Sequence, residues 1–405
     1  MDLTRSRLTV GAALAVLCSA GFLNAQRTSQ SWSEMLAIGN ELQRSIESAD
    51  TTREVLHGTP IQALAFDEYS AALARVDEST FRDLNSYRVA RHQQDEASET
   101  LRDALLDQHR ETLRLLEEGA RSTDAHYSID EGDGSNSDLL DFKACRSIAE
   151  LTVAAADRHL CEGHPESAVN VLLDGMQFSR DLHESPLLIN DVIGIALLAI
   201  TSKEALIDNG LLERFPAPQL ERLAAGMAKV DASIAPVGHA MDGDLVRLAS
   251  NLTNVNGDQE DIALESCSFF FGDYLPRGFS ERATLSKYVT QLKRDRDLMH
   301  TMHADSWSER RAALEDIAKA TSNPIFADSA TRWLSAEASR RAGMAVFRLA
   351  RIATEYRATG TTLPLADPFG GEFDLHEQDG TLHVECKRHA GDHAPSKFEF
   401  ELTRE

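Results

Sequence analysis

The stretch CEGHPESAVNVLLDGMQFSRDL, Cys161–Leu182, constrains the fold of this chain more than any other. Gly163 and Pro165 stand between two helical patterns. Glycine closing one helix and proline opening the next make a tight reversal. Ala168 and Gly175 are seven apart and share one helix face, and Ala156 lies on the facing helix. This spacing predicts two antiparallel helices in close approach, the small-residue skeleton of a tetratricopeptide hairpin. One repeat period, about 34 residues, carries Ala168 and Gly175 forward to Ser202 and Asn209 or back to Gly134 and Asp141. Neither pair continues the pattern. Stacked repeats need about three units to share a core. The expected fold is therefore mainly α: an irregular bundle of antiparallel helical hairpins, with a degenerate helical-repeat array as the alternative.

Composition agrees with helices. Of 405 residues, 42% are hydrophobic and only 6% aromatic, which favours helical packing over a β-sandwich. The formal net charge of −24 repels phosphate backbones and anionic lipid surfaces, and no basic stripe interleaves with aromatics. Nucleic acid is excluded as an expected partner. At the N-terminus, Arg5 and Arg7 precede Leu8–Leu23, which carries no charge, and small residues follow at Ser19, Ala20, Gly21 and Ala25. That is the pattern of a secretory signal over residues 1–25, with an uncleaved anchor as the alternative. Export to the periplasm or cell envelope is expected, with membrane contact only through this segment. Cys145 and Cys161 lie on one predicted helix about 24 Å apart, at about 1.5 Å per residue, too far to pair with each other.

Along the chain, residues 26–120 read as an N-terminal helical region. In it, His57–Pro60 breaks the chain, IQALAFDEYSAALARV is helical, and Ser79–Glu118 forms one or two surface helices. Residues 121–138 read as an acidic Gly/Ser loop. Asp130, Gly132 and Gly134 there fail the oxygen-ligand pattern of an EF-hand. Residues 139–360 form the main helical domain. In it, Ser185 and Pro186 open an apolar helix reaching about Asp208, Pro218 starts another, and one long helix covers Ala327–Thr359. Residues 361–405 change period. Phe373 and Leu375 alternate with their neighbours, as do Leu382 and Val384, around a turn at Asp379-Gly380. That predicts a β-hairpin, with Phe398–Leu402 as a possible third strand.

Three features carry a family resemblance: EGHPESAVNVLLDGMQFSRDL followed by SPLLINDVIGIALLAI; PAPQLERLAAGMAKV; and ARIATEYRATGTTLP before ADPFGGEF. Together they resemble a loose family of uncharacterised, exported, mostly helical proteins of planctomycete-like bacteria, over roughly Asp141–Val384. The run from Tyr356 through Asp367-Pro368-Phe369 is also similar, briefly, to the C-terminal turn of pseudopilins. The resemblance implies architecture and export and transfers no chemistry.

No nucleophile elbow, P-loop or dinucleotide fingerprint is present. No cofactor is expected. The first functional expectation is a non-catalytic envelope protein, structural or binding another envelope protein or peptide. Asn170, Asp174 and Gln177, on the concave side of the hairpin, are its candidate contacts. The alternative is an enzyme of unrecognised class using metal. Its candidate ligands are Cys386, His389 and His393, three donors within eight residues, or else His300 and His303 at helical spacing.

Overall fold

The computed structural model describes residues 53–126, 141–185, 187–234, 307–320, 324–378, 381–386 and 402–403, with positions 37, 40, 41 and 44. The expectations placed on residues 1–25, on Asp130 to Gly134, on His300 and His303, and on His389 and His393 lie outside the described residues.

The protein is mainly α, with a small C-terminal β-hairpin. Strand β1 (Ile61–Leu64) leads into α1 (Ala65–Leu73), α2 (Glu78–His92), α3 (Ala97–Gln108), α4 (Arg110–Arg121) and β2 (Ser122–Asp124). Two sequence expectations change here. IQAL is a strand and not the first turn of a helix, because its backbone pairs in parallel with β2, sixty residues on. Ser79–Glu118 holds three helices and not one or two, and they are not purely superficial. Leu84, Tyr87, Leu105 and Leu106 pack with Leu151 and Ala154. The thin apolar spacing concealed this because each helix buries only one narrow stripe.

The hairpin follows as α5 (Phe142–Cys161) and α6 (Pro165–Glu184). Gly163 takes φ +76°, the left-handed conformation that lets the chain reverse. Helix α7 (Leu188–Ala199) begins after an N-cap at Leu187, two residues beyond the expected Ser185 cap, and continues as a π-helical segment, Ile200–Asp208. Helix α8 (Ala217–Ser233) starts at the Pro216–Pro218 pair as expected. Helices α9 (Trp307–Ala320) and α10 (Pro324–Thr359) complete the helical body.

Helix α6 is the centre of this arrangement. It packs on α5, α7, α8 and α4, while α10 covers α7, α8 and α9 from the far side. One cluster joins Phe66, Tyr69 and Leu116 to Cys145, Phe178 and Leu197, so a shared core runs across the chain boundary at 121–138. The larger core joins α5 through α8, α10 and the hairpin. Strands β3 (Asp374–Gln378) and β4 (Thr381–Glu385) are antiparallel, with Leu375 opposite Val384, and β5 (Leu402–Thr403) adds to β4.

Small residues set the helix spacing around α6, although not only those the hairpin spacing marked. A β-carbon at Gly194 of α7 would lie 2.5 Å from the Ser179 carbonyl oxygen and 2.6 Å from the His183 amide nitrogen. Backbone cannot yield as a flexible side chain does. Gly194→Ala is expected to cost about 3 kcal/mol, the upper part of the overpacking range, read from urea denaturation. A variant as stable as the parent would refute the close approach.

Candidate functional site

Asn170, Asp174, Gln177 and Asp181 fall at successive helical intervals of four, three and four and so form one stripe along α6. The first three are the residues that the sequence reading placed on the concave side of the hairpin. Their surroundings are covered. Asp174 and Gln177 are 4% and 1% exposed. Asn170 accepts a hydrogen bond from Arg222 of α8 at 2.5 Å. What covers the rest is the chain itself. Residues 53–57 lie across the stripe without helix or strand structure of their own.

Asp181 is the anchor. It is 1% exposed and accepts from the Arg53 guanidinium, from the Tyr69 hydroxyl at 2.6 Å and from Gln177 Nε2 at 2.9 Å. Arg53 also donates to the Ser122 carbonyl at 3.0 Å and to the Gly119 carbonyl at 2.6 Å, serving backbone acceptors at the end of α4. Its own amide donates to the Thr123 carbonyl at 3.1 Å. Burial works to lower the Arg53 pKa, but Asp181 and Tyr69 outweigh it and hold the guanidinium firmly charged. Burial, together with the Asp181 charge, pushes the Tyr69 hydroxyl well above its usual range.

Two turns earlier on α6, Asp174 meets His57 Nε2 at 2.5 Å. Burial holds the Asp174 carboxyl above the usual carboxylate range, against the pull of His57. Between the two anchors, Leu56 packs on the main core, the Glu54 carbonyl accepts from Arg180 at 2.9 Å, and the Glu54 carboxylate pairs with Lys229 of α8 at 2.5 Å.

Three other buried polar clusters brace the bundle. His183, Asp191 and Arg340 join α6, α7 and α10, with Arg340 Nε 3.3 Å from Asp191. Beside them Glu337 accepts from Arg310 at 2.7 Å and Arg341 at 2.8 Å, and Arg341 lies over the Trp307 ring. At the end of α5, Asp157 gathers Arg91, Arg102 and Arg214. Burial acts to raise its carboxyl pKa, but the three guanidiniums prevail and lower it. Cys145 and Cys161 share α5 and form no disulfide among the described residues. Burial pushes the Cys145 thiol up to about 12.

Of the sequence-derived metal set, Cys386 alone is described. It is 2% exposed, and its thiol donates to Asp367 at 3.1 Å. The alternation that sends Leu382 and Val384 into the core sends Cys386 there too, which turns it away from any ligand site on the outer face. No group of three or more His, Cys, Asp or Glu side chains among the described residues is placed to hold a metal ion.

Sequence reasoning found the stripe but missed Asp181, Arg53, His57 and Tyr69. Continuing the helical interval beyond Gln177 would have reached Asp181. Nothing local marks its partners, which lie more than a hundred residues away in the chain. No family model, curated protein or solved structure matches this chain.

Two outcomes follow from the stripe. Removing one partner from a buried ion pair costs about 3–5 kcal/mol, because the other charge is stranded. Asp181→Ala is expected to lose that much by chemical denaturation, and Arg53→Met combined with Asp181→Leu to recover most of it. Additive losses in the double variant would rule out the pairing. For Asp174 the folded pKa is raised, so the folded chain holds the proton more tightly than the unfolded one. The stability it contributes is present below the unfolded value, about 4, and is lost as pH rises through the folded value. Urea midpoints of the parent, but not of Asp174→Asn, should decline over that window; matching profiles would refute the assignment.

Proposed function

We propose that the protein is a non-catalytic interaction scaffold exported to the cell envelope, and that the polar stripe of α6 is its receptor for an extended peptide segment. The observation that carries this reading is the seating of residues 53–57. Asp174 and Asp181 are about 10 Å apart along the helix axis, and Arg53 and His57 are spanned by about 13 Å of extended chain. The two spacings match closely enough for one short segment to engage both carboxylates. Main-chain groups of the segment are read by Arg180, and Leu56 supplies an apolar anchor. The α5–α6 pair, tetratricopeptide-like in its small-residue spacing, is the platform. An envelope partner of this class presents arginine and a second basic residue four positions on, with an apolar residue between.

Export rests on the N-terminal pattern of Arg5, Arg7 and the uncharged run Leu8–Leu23. It is tested separately by cell fractionation with and without residues 1–25, deletion being expected to retain the protein in the cytoplasm.

The receptor reading is tested with the peptide TTREVLHGTP, labelled with a fluorophore, against the full chain carrying Arg53→Ala and His57→Ala. These substitutions unseat the chain's own segment. The double variant should bind the peptide at least tenfold more tightly than the parent does. A variant with unchanged circular dichroism that binds no peptide would overturn the reading.

A further inference from the structure

The outer face of the C-terminal hairpin carries two histidines that the sequence reading did not single out. His376 of β3 and His383 of β4 are directly opposed in the register. Their rings stack, with centroids 4.9 Å apart and planes 7° from parallel. His376 is exposed and His383 half-buried. The opposite face of the same strands is committed to the core through Leu382 and Val384, both fully buried. The two imidazoles are therefore held side by side by a backbone whose inner face is fixed.

Neither ring makes a hydrogen bond or ion pair with a described residue. Two imidazoles in contact at a surface, with no nitrogen hydrogen-bonded to a described residue, form a bidentate donor set. Asp374 stands two residues before His376 on the same outer face, about 6.6 Å along the strand, and is exposed. Its charge, within a chain of net charge −24, favours a cation at this face.

We infer that His376 and His383 form a surface site for a divalent transition-metal ion of the imidazole-binding class, with copper(II) held most tightly by the general order of divalent affinities. Two cis nitrogen donors sit about 2.0 Å from one ion and hence about 3 Å apart. A tilt of each ring about its outer torsion closes the stack to that separation, and no hydrogen bond with a described residue opposes the tilt. The described residues supply no third protein ligand. Water fills the remaining positions, which makes this an open, exchangeable site and not a closed structural one. It is distinct from the set Cys386, His389 and His393, because Cys386 faces inward against Asp367. It also stands apart from the α6 stripe, so the failure of either proposal leaves the other intact.

The full chain, stripped with EDTA, is titrated with copper(II) chloride and followed by calorimetry and electron paramagnetic resonance. The tightest ion should show hyperfine splitting from two imidazole nitrogens. His376→Thr and His383→Thr keep a residue suited to a strand and should each weaken that ion at least tenfold, the pair together abolishing its two-nitrogen signal. Zinc chloride added to the unsubstituted chain should protect both histidines from diethyl pyrocarbonate, a readout that does not depend on any variant folding. Unchanged copper affinity in the double variant would overturn the proposal. So would full carbethoxylation of His376 and His383 under saturating zinc, or loss of the signal in His389→Thr/His393→Thr with His376 and His383 intact.

Discussion

A carboxylate sealed inside a helical bundle must find all its hydrogen-bond donors within the protein, and Asp181 does so. Taking a carboxylate out of water costs several kcal/mol even after the protein relaxes. That cost is offset only where geometry is good and each oxygen is served. Asp181 draws its donors from three places: the 53–57 segment, α1 and its own helix. Because α6 is enclosed by α4, α5, α7 and α8, its other polar side chains face the same demand. Asp174 is likewise served by a residue distant in sequence, His57, and His183 pairs with Asp191 of the next helix. The apolar faces bring the helices together, and these polar requirements decide which neighbours are accepted.

Much of the helical frame was legible in the sequence because it is written in local terms. Gly163 and Pro165 mark a reversal whatever surrounds them, and Pro218 marks a helix start. The hairpin follows from period-two alternation around Asp379-Gly380, and the structure pairs Gln378 with Thr381 on either side of it. The features that were missed are set by distance. IQAL reads as helix until the strand at Ser122–Asp124 is brought beside it. The three helices between Glu78 and Arg121 look superficial until α5 supplies the other half of their core. The candidate site divides in the same way. Its stripe on α6 is a helical interval and so could be read. Arg53 and His57 sit in an irregular stretch with no pattern of its own.

The hairpin makes a related point about faces. Donor density in sequence drew attention to Cys386, but strand parity sends that thiol to the core with Leu382 and Val384. The same parity places His376 and His383 outward. With a two-residue turn, positions 376 and 383 must oppose each other, so their pairing is a consequence of register and could be counted from the turn. For strands, which side a residue occupies is better evidence of chemistry than how many donors lie nearby.

The seating of Arg53 against Asp181 also bears on how the chain is made. Asp181 is synthesised 128 residues after Arg53. At about 5–20 residues per second, roughly 6–26 s pass between them. Through that interval Arg53 lacks its counter-charge, and the α1 face bearing Phe66 and Tyr69 lacks the Phe178 ring that later packs against it. The N-terminal helices thus spend their first seconds with an uncovered apolar surface. Their folding is completed from behind, when α6 arrives.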